Sequence, residues 1–283
     1  MSARYRIHHS SVYSYDQTVS ASFNEVRLTP AATGWQSPLE SVLRVDPATW
    51  QYHYVDYWGT QVRVFEAHTP HRNLVVDVTS QVEVDSARRV QEPLDLRWDG
   101  LRTPAVADRF AEFLTLKALT APPPDLAERA ESLAASQGPG DAARAIVGAV
   151  HDTMSYLPGS TGVHTLAAEA WQSGCGVCQD YAHLVVGALR HVGVPARYVS
   201  GYLHPKADNE VGDSAAAESH AWVQSWLGEW IDHDPTNLAL VADRHVLVGT
   251  GRDYRDVPPI KGIVAGTPVT TDLQVEVTIT RVV

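Results

Sequence analysis

The sequence is poor in cysteine, short of basic charge and free of long apolar runs, and each scarcity excludes something. Two cysteines among 283 residues cannot make a disulfide framework, so the fold must rest on its core. Lys and Arg number 22 against 33 Asp and Glu, a formal net charge of −11. That balance argues against nucleic acid or an anionic membrane as partner, because both require basic patches. No apolar run reaches the roughly 18 residues of a spanning helix, and the first residues, MSARYRIHHSS, contain no apolar leader core. A soluble, cytoplasmic protein is expected. Neither an internal repeat nor a low-complexity tract is visible.

What is present is enough apolar material, 44% of residues, for one large domain or two ordinary ones. Residues 4–90 read as β structure: Arg4–Tyr15 alternates loosely, and Gln61–Phe65 and Leu74–Val84 are rich in Val and Thr with turn signals between them. Asp108–Leu119 is helical in pattern, Pro122–Pro124 breaks it, and Ala127–Ala135 is a second short helix. Asp141 is expected to cap a helix whose Ile146, Val150 and Met154 form one buried stripe. Helical spacing resumes from Cys178 and stops at Gly193 and Pro195. Arg197–Leu203 reads as a strand and Lys206–Ala217 as a loop. His220–Leu227 and Trp230–His233 read as a hairpin, and Leu273–Ile279 alternates as a last strand. The expected division is a β-rich, sandwich-like N-terminal domain at 1–90, a helical connector at 91–140 and a mixed helix-and-strand core at 141–283. The fold class is α+β.

Both cysteines lie in SGCGVCQDYAHL, Ser173–Leu184, with C-x-x-C spacing. A redox dithiol belongs at a strand-to-helix turn, whereas Thr165–Gln172, ahead of the motif, reads as a helix. Cys175, Cys178 and His183 match three ligands of a zinc knuckle, but the fourth position is Ala188, so a four-ligand structural site cannot close. The third reading makes Cys178 a nucleophile at a helix N-terminus, where free backbone N–H groups favour negative charge and can face an oxyanion. It requires a histidine base and a group to orient it. SHAW (Ser219–Trp222) and DHDPTN (Asp232–Asn237), on paired strands, supply both types. The bland alternatives are a buried structural thiol for Cys178, a locally satisfied strand histidine for His220 and a turn-forming residue for Asp234.

GVCQDYAHLVVGALRHVGVPARYVSGYL, then SHAW, then DPTN, resembles the transglutaminase-like superfamily of cysteine enzymes with a papain-like core. YRIHHSSVYSY and RLTP resemble the N-terminal domain of its bacterial branch, and YLPGSTGVHT and GRDYRDVPPIKGIVAG resemble segments flanking that branch's core. The resemblance implies a nucleophile helix packed on an antiparallel sheet, with Cys178 as nucleophile, His220 as base and Asp234, rather than Asp232, as the orienting carboxylate. Cys175 falls where the motif asks for no cysteine. Tyr156 is a candidate oxyanion donor, and Trp222, Asp253 and Tyr254 are candidates for the substrate cleft. His183 is expected to pack or hydrogen-bond structurally, and Asp180 to point away from the thiol. Neither a cofactor nor a metal is expected.

The implied chemistry is acyl transfer through a thioester: hydrolysis of a peptide, amide or isopeptide bond, or transfer of the acyl group to an amine. A third alternative is a binding module that has kept the fold without the chemistry. The triad also constrains the hairpin. Directly opposed residues of paired strands share a face. A two-residue turn at Gly228-Glu229 would oppose Val223 to Asp234 and turn His220 away from it. A three-residue loop, Leu227-Gly228-Glu229, opposes Trp222 to Asp234 and brings His220 onto the same face. An odd loop or a single bulge is therefore predicted.

Overall fold

The structure, a computed structural model, describes residues 2–89, 96–217, 219–266 and 270–283. The expected start of the connector, Gln91, lies outside the described residues. The described residues form three antiparallel sheets, a short parallel pair of strands, 155–156 with 175–176, and a helical layer.

The first sheet has five strands in the spatial order 214–217, 270–281, 2–19, 71–85, 36–46, and the second has four, 260–264, 22–26, 61–67, 50–55. Alternation along Ser2–Val19 buries Ala3, Tyr5, Ile7, His9 and Ser11 and leaves their neighbours wetter, as a one-sided strand requires. Tyr5, Ile7, Leu74, Val76 and Val78 from the first sheet meet Val26 and Phe65 from the second in one apolar cluster. This is the expected sandwich.

The third sheet runs 230–233, 219–226, 196–203, 245–251, all antiparallel. Its Tyr202, Val246 and Val248 join the sandwich core, while Tyr198, Ala221 and Val223 pack with Ile146, Val150, Leu184 and Leu189 of the helices. The sheet thus stands between the sandwich and the helical layer. At the centre of that layer is the helix Cys178–His191, in which every residue from Gln179 to Arg190 is buried. Gly187 is required there, since a Cβ would collide with the Thr120 carbonyl. Arg190 at its C-terminal end donates to the carbonyls of Ala196, Thr115 and Arg252, tying three separate segments to the carbonyl-rich end where a cation is favoured. No described helix is long and apolar enough to cross a membrane.

Four local expectations are corrected. The helix at 141 starts earlier, at Pro139, with Gly138 at the N-cap. Proline suits the first helical position, and Asp141 sits in the first turn, paired with Arg144 at 2.7 Å. The pattern at Asp108–Leu119 becomes two short helices, Pro104–Arg109 and Ala111–Leu114. They break at Phe110, whose ring packs against Trp226 at 4.7 Å and Trp230 at 5.6 Å. The loop read over Lys206–Ala217 ends in a strand, Ser214–Ala217, paired with the C-terminal strand. Finally, the last part of the chain does not stay with the core: Ile260–Val264 pairs with Ser22–Val26, and Thr270–Arg281 pairs with Ser2–Val19. Leu273 and Val275 are half exposed whereas Val277 and Ile279 are buried, so only the end of that strand meets the apolar cluster.

Candidate active site

The nucleophile helix begins at Cys178 after an extended Val177, φ −113° and ψ 178°. Valine has no side-chain acceptor, so the cap is made from the other side. The Asp180 carboxylate folds back and accepts the Val177 N–H at 2.8 Å and the Thr161 hydroxyl at 2.6 Å. Burial pushes the Asp180 carboxyl up, against these hydrogen bonds. Gly176 makes room for the fold-back, because a Cβ there would meet Asp180 Cβ and Oδ2 at 2.8 Å. The run G-V-C-Q-D therefore has a steric logic: glycine admits the aspartate, and the aspartate caps the helix and takes the Thr161 hydroxyl. Both cysteines are free. Cys175 Sγ faces Ser173 Oγ at 3.7 Å, while Cys178 lines the same cleft as His220 and acts on its charge.

His220 and Asp234 meet through the hairpin. Trp226 pairs with Trp230 and Val223 with His233. Leu227 N–H closes on the Glu229 carbonyl at 2.9 Å, and Gly228 holds φ +92°. The loop has three residues, the odd number predicted, and a glycine occupies the left-handed position. His220 Nε2 then lies 2.9 Å from Asp234 Oδ2, leaving Nδ1 for the thiol. Burial works against charge on His220, but Asp234 and Cys178 outweigh it and push the imidazole up to about 10. Burial alone would raise the Asp234 carboxyl; the hydrogen bonds of His220, His245 and Asn237 instead hold it well below the usual carboxylate range.

Asp232, the rival carboxylate, does something else. It accepts from Trp222 Nε1 at 2.7 Å, Gln224 Nε2 at 2.9 Å and Arg89 Nε at 2.9 Å. This settles Trp222 as well. Expected in the substrate cleft, it is wholly buried, among Val199, Val241 and Leu247, with its ring 6.1 Å from that of His220 and 26° off parallel. It backs the imidazole. Asp253 is likewise behind the cleft, 2% exposed and gripped by Arg255 at 3.0 and 2.7 Å. Its neighbour Tyr254 lines the cleft with Cys178 and Tyr198. Tyr156, 46% exposed, stands on the rim, placed there by the pairing of Ser155-Tyr156 with Cys175-Gly176. His183 is fully buried, accepts the Tyr254 N–H at 3.2 Å, and is lowered to about 4 by burial. It is structural.

His245 was not singled out from the sequence. It opens the strand His245–Gly251 and pairs with Leu203, and its Nε2 lies 3.2 Å from Asp234 Oδ2. Burial lowers its pKa, so a neutral ring donates Nε2–H to the carboxylate. Asp234 also accepts the N–H groups of Thr236 and Asn237 and the Asn237 side-chain amide. Donor atoms of His220, Asp234 and His245 converge within 4.8 Å, a spacing that could suit a cation. The Asp234 carboxylate is already taken up by N–H groups from His220, His245, Thr236 and Asn237, while the buried Nδ1 of His245 has no hydrogen-bond partner among the described residues.

One consequence is testable. Replacing His245 by phenylalanine removes a donor from Asp234, so the carboxylate acts more strongly on the His220 imidazolium. Turnover by the Cys178–His220 ion pair is expected to fall about ten- to a hundredfold, with its alkaline limb moved above the value of about 10 held by His220. His245→Gln, which keeps an N–H, should retain most of the rate. A pH–rate profile that is unaltered in the phenylalanine variant would remove His245 from this network.

The thiol and imidazole open onto a cleft of about 340 Å³ lined by Cys178, Gln179, Tyr198, His220 and Tyr254. It is contiguous, through Tyr156, Pro158, Ser219 and His220, with a larger cavity of about 680 Å³. A helix-borne thiol, an imidazole on a sheet and a buried carboxylate behind it define the class of protein to which comparison then gives a family.

Residues 127–235 match the model of the transglutaminase-like superfamily, and residues 5–83 match that of the bacterial transglutaminase-like N-terminal region. The uncharacterized protein ML0607 of Mycobacterium leprae is 43% identical over 98% of this chain and 99% of its own length. The chain belongs to the transglutaminase-like superfamily. A crystal structure from Cytophaga hutchinsonii, described as a "putative cysteine protease", shares the fold with TM-score 0.75, over 98% of this chain and 90% of its own, at 22% identity. A protein-glutamine gamma-glutamyltransferase of Pseudomonas aeruginosa is 32% identical over 93 residues, 30% of this chain and 14% of its own length.

Proposed function

We infer that this protein is a thiol-dependent acyl-transfer enzyme that hydrolyses an amide or isopeptide bond. The observation that carries the reading is His220, held between the Cys178 thiol and the Asp234 carboxylate at the mouth of a cleft. The Cys178 thiolate attacks the carbonyl carbon, and helix N–H groups take up the charge developing on its oxygen, with Tyr156 on the rim as a further donor. The carbon–nitrogen bond breaks as the His220 imidazolium gives its proton to the leaving amine, leaving a thioester. Water then attacks; neutral His220 takes its proton, and the acid departs from sulfur. Asp234 and His245 keep the imidazole in the tautomer this cycle needs.

Amine transfer is the second reading, favoured by the local similarity to the Pseudomonas enzyme. It differs only in the acceptor, an amine in place of water. A silent binding module is disfavoured because none of the three groups is missing. Intact-mass analysis during incubation with peptide libraries, with and without an added amine, separates the three. A Cys178-linked acyl adduct followed by free acid supports hydrolysis, and amine-dependent product supports transfer. No adduct and no product would sink the enzyme reading.

A further inference from the structure

The larger cavity beside His220 has an apolar wall of Leu203, Pro205, Ala216 and Ala217, polar Ser219, Thr236 and Asn237, and a guanidinium, Arg244. Arg244 is half-buried. Its Nη1 donates to the His204 and Pro205 carbonyls, both at 3.3 Å, which anchors the guanidinium at one edge. Among the described residues no carboxylate forms an ion pair with it, whereas Lys206 close by is paired with Asp213 at 2.9 Å. In a chain of net charge −11, a cation that no described carboxylate pairs, in a cavity that reaches the reacting imidazole, calls for an anionic partner. A guanidinium anchored through one nitrogen still offers the planar fork that matches a carboxylate.

We propose that Arg244 is a substrate-specificity residue which binds a carboxylate on the amide substrate, on the His220 side of the scissile bond. This rests on the acyl-transfer reading, and it names the substrate class: amides whose amine portion is an amino acid or short peptide with a free carboxylate. Sheet geometry sets the distance. His220 pairs with Gly201, and Leu203 on that same strand pairs with His245. Arg244 is therefore two strand spacings across and about three residues along, roughly 14 Å between backbones. Two side chains lining one cavity close about half of that gap, leaving a span of about two residues. The carboxylate thus belongs about two residues beyond the scissile amide, and the apolar wall takes the intervening side chain. His220 is also the group that protonates the leaving amine, so this cavity receives the amine portion and the Cys178 cleft the acyl portion. If the acceptor is an amine, the same cation favours amino acids and repels diamines.

The test uses two tripeptide pools identical except at the C-terminus, one with free carboxylates and one with carboxamides. Binding is measured by equilibrium dialysis with the Cys178→Ala protein, and turnover with the unaltered protein. The free-acid pool is expected to be favoured about ten- to a hundredfold. Arg244→Gln should collapse that ratio toward one, and Arg244→Lys, a point charge without the fork, should keep part of it. Equal treatment of both pools by the unaltered protein, or a ratio untouched by Arg244→Gln, would overturn the proposal. The alkylation rate of Cys178 and the thermal midpoint, read on each variant, separate it from the parent reading. A reactive thiol with no carboxylate preference sinks only the subsite. A Cys178 that alkylates no faster than Cys175 and forms no adduct sinks the acyl-transfer reading.

Discussion

Replacing Cys178 by alanine is expected to abolish turnover, by at least about a thousandfold, while Cys175→Ser leaves most of it. The two thiols are three positions apart, but their surroundings differ. Cys178 is the first residue of a helix and shares a cleft with an imidazole backed by a buried carboxylate. Cys175 faces a serine hydroxyl. Alkylation should show the same ranking, with Cys178 modified first at neutral pH because only it has a cation beside it. Equal losses in the two variants would revive the dithiol reading, and rapid labelling of Cys175 alone would overturn the nucleophile.

Asp234→Asn and Asp232→Asn should fail in different ways, although the residues are only two apart, at the end of one strand and just beyond it. At Asp234, Oδ1 accepts backbone N–H groups and Oδ2 receives both imidazoles. An asparagine keeps its oxygen on the backbone and turns NH₂ toward the rings. His220 must then accept at Nε2 and carry its proton on Nδ1, toward the thiol, where it can no longer take a proton. A loss of about 10³- to 10⁴-fold in rate is expected, with the fold retained. Asp232→Asn instead strips the charge from Arg89, an ion pair whose side chains are 1% and 4% exposed. Leaving one buried charge alone costs about 3–5 kcal/mol, seen as a lower thermal midpoint with near-normal turnover of the folded fraction. Thermal melts and single-turnover rates on both variants check this, and the reverse pattern would move the orienting role to Asp232.

The parts of this site that were legible in the sequence are those fixed by local geometry. The parity of a strand pair ties His220, the loop Leu227–Glu229 and Asp234 together, so a requirement on two side chains dictated a loop length. Alternation also showed the C-terminal strand, though not its partner, since nothing in a run of Val and Leu says which edge it will join. Trp222 was misplaced because SHAW stands next to the cleft. Being two residues from His220 on one strand gives them a common face, but that face turns inward at Trp222, under Val199, Val241 and Leu247. His245 was illegible for another reason. It reaches Asp234 only because its strand joins the far side of Ala196–Leu203, a pairing between segments about forty residues apart with no local mark.

The return of the last strand to the first sheet changes how the molecule can come apart. Ser2–Val19 lies between Thr270–Arg281 and His71–Asp85, so these first and last strands are neighbours and close what lies between them into a belt. Cutting the backbone between the sandwich and the helices leaves two fragments still clasped by that strand. Removing the final strand, by contrast, bares a long edge at the sandwich and frees Ser214–Ala217, which pairs only with it. That small strand leads directly into Ser219 and His220. The far end of the chain is therefore the splint on which one wall of the cleft is set.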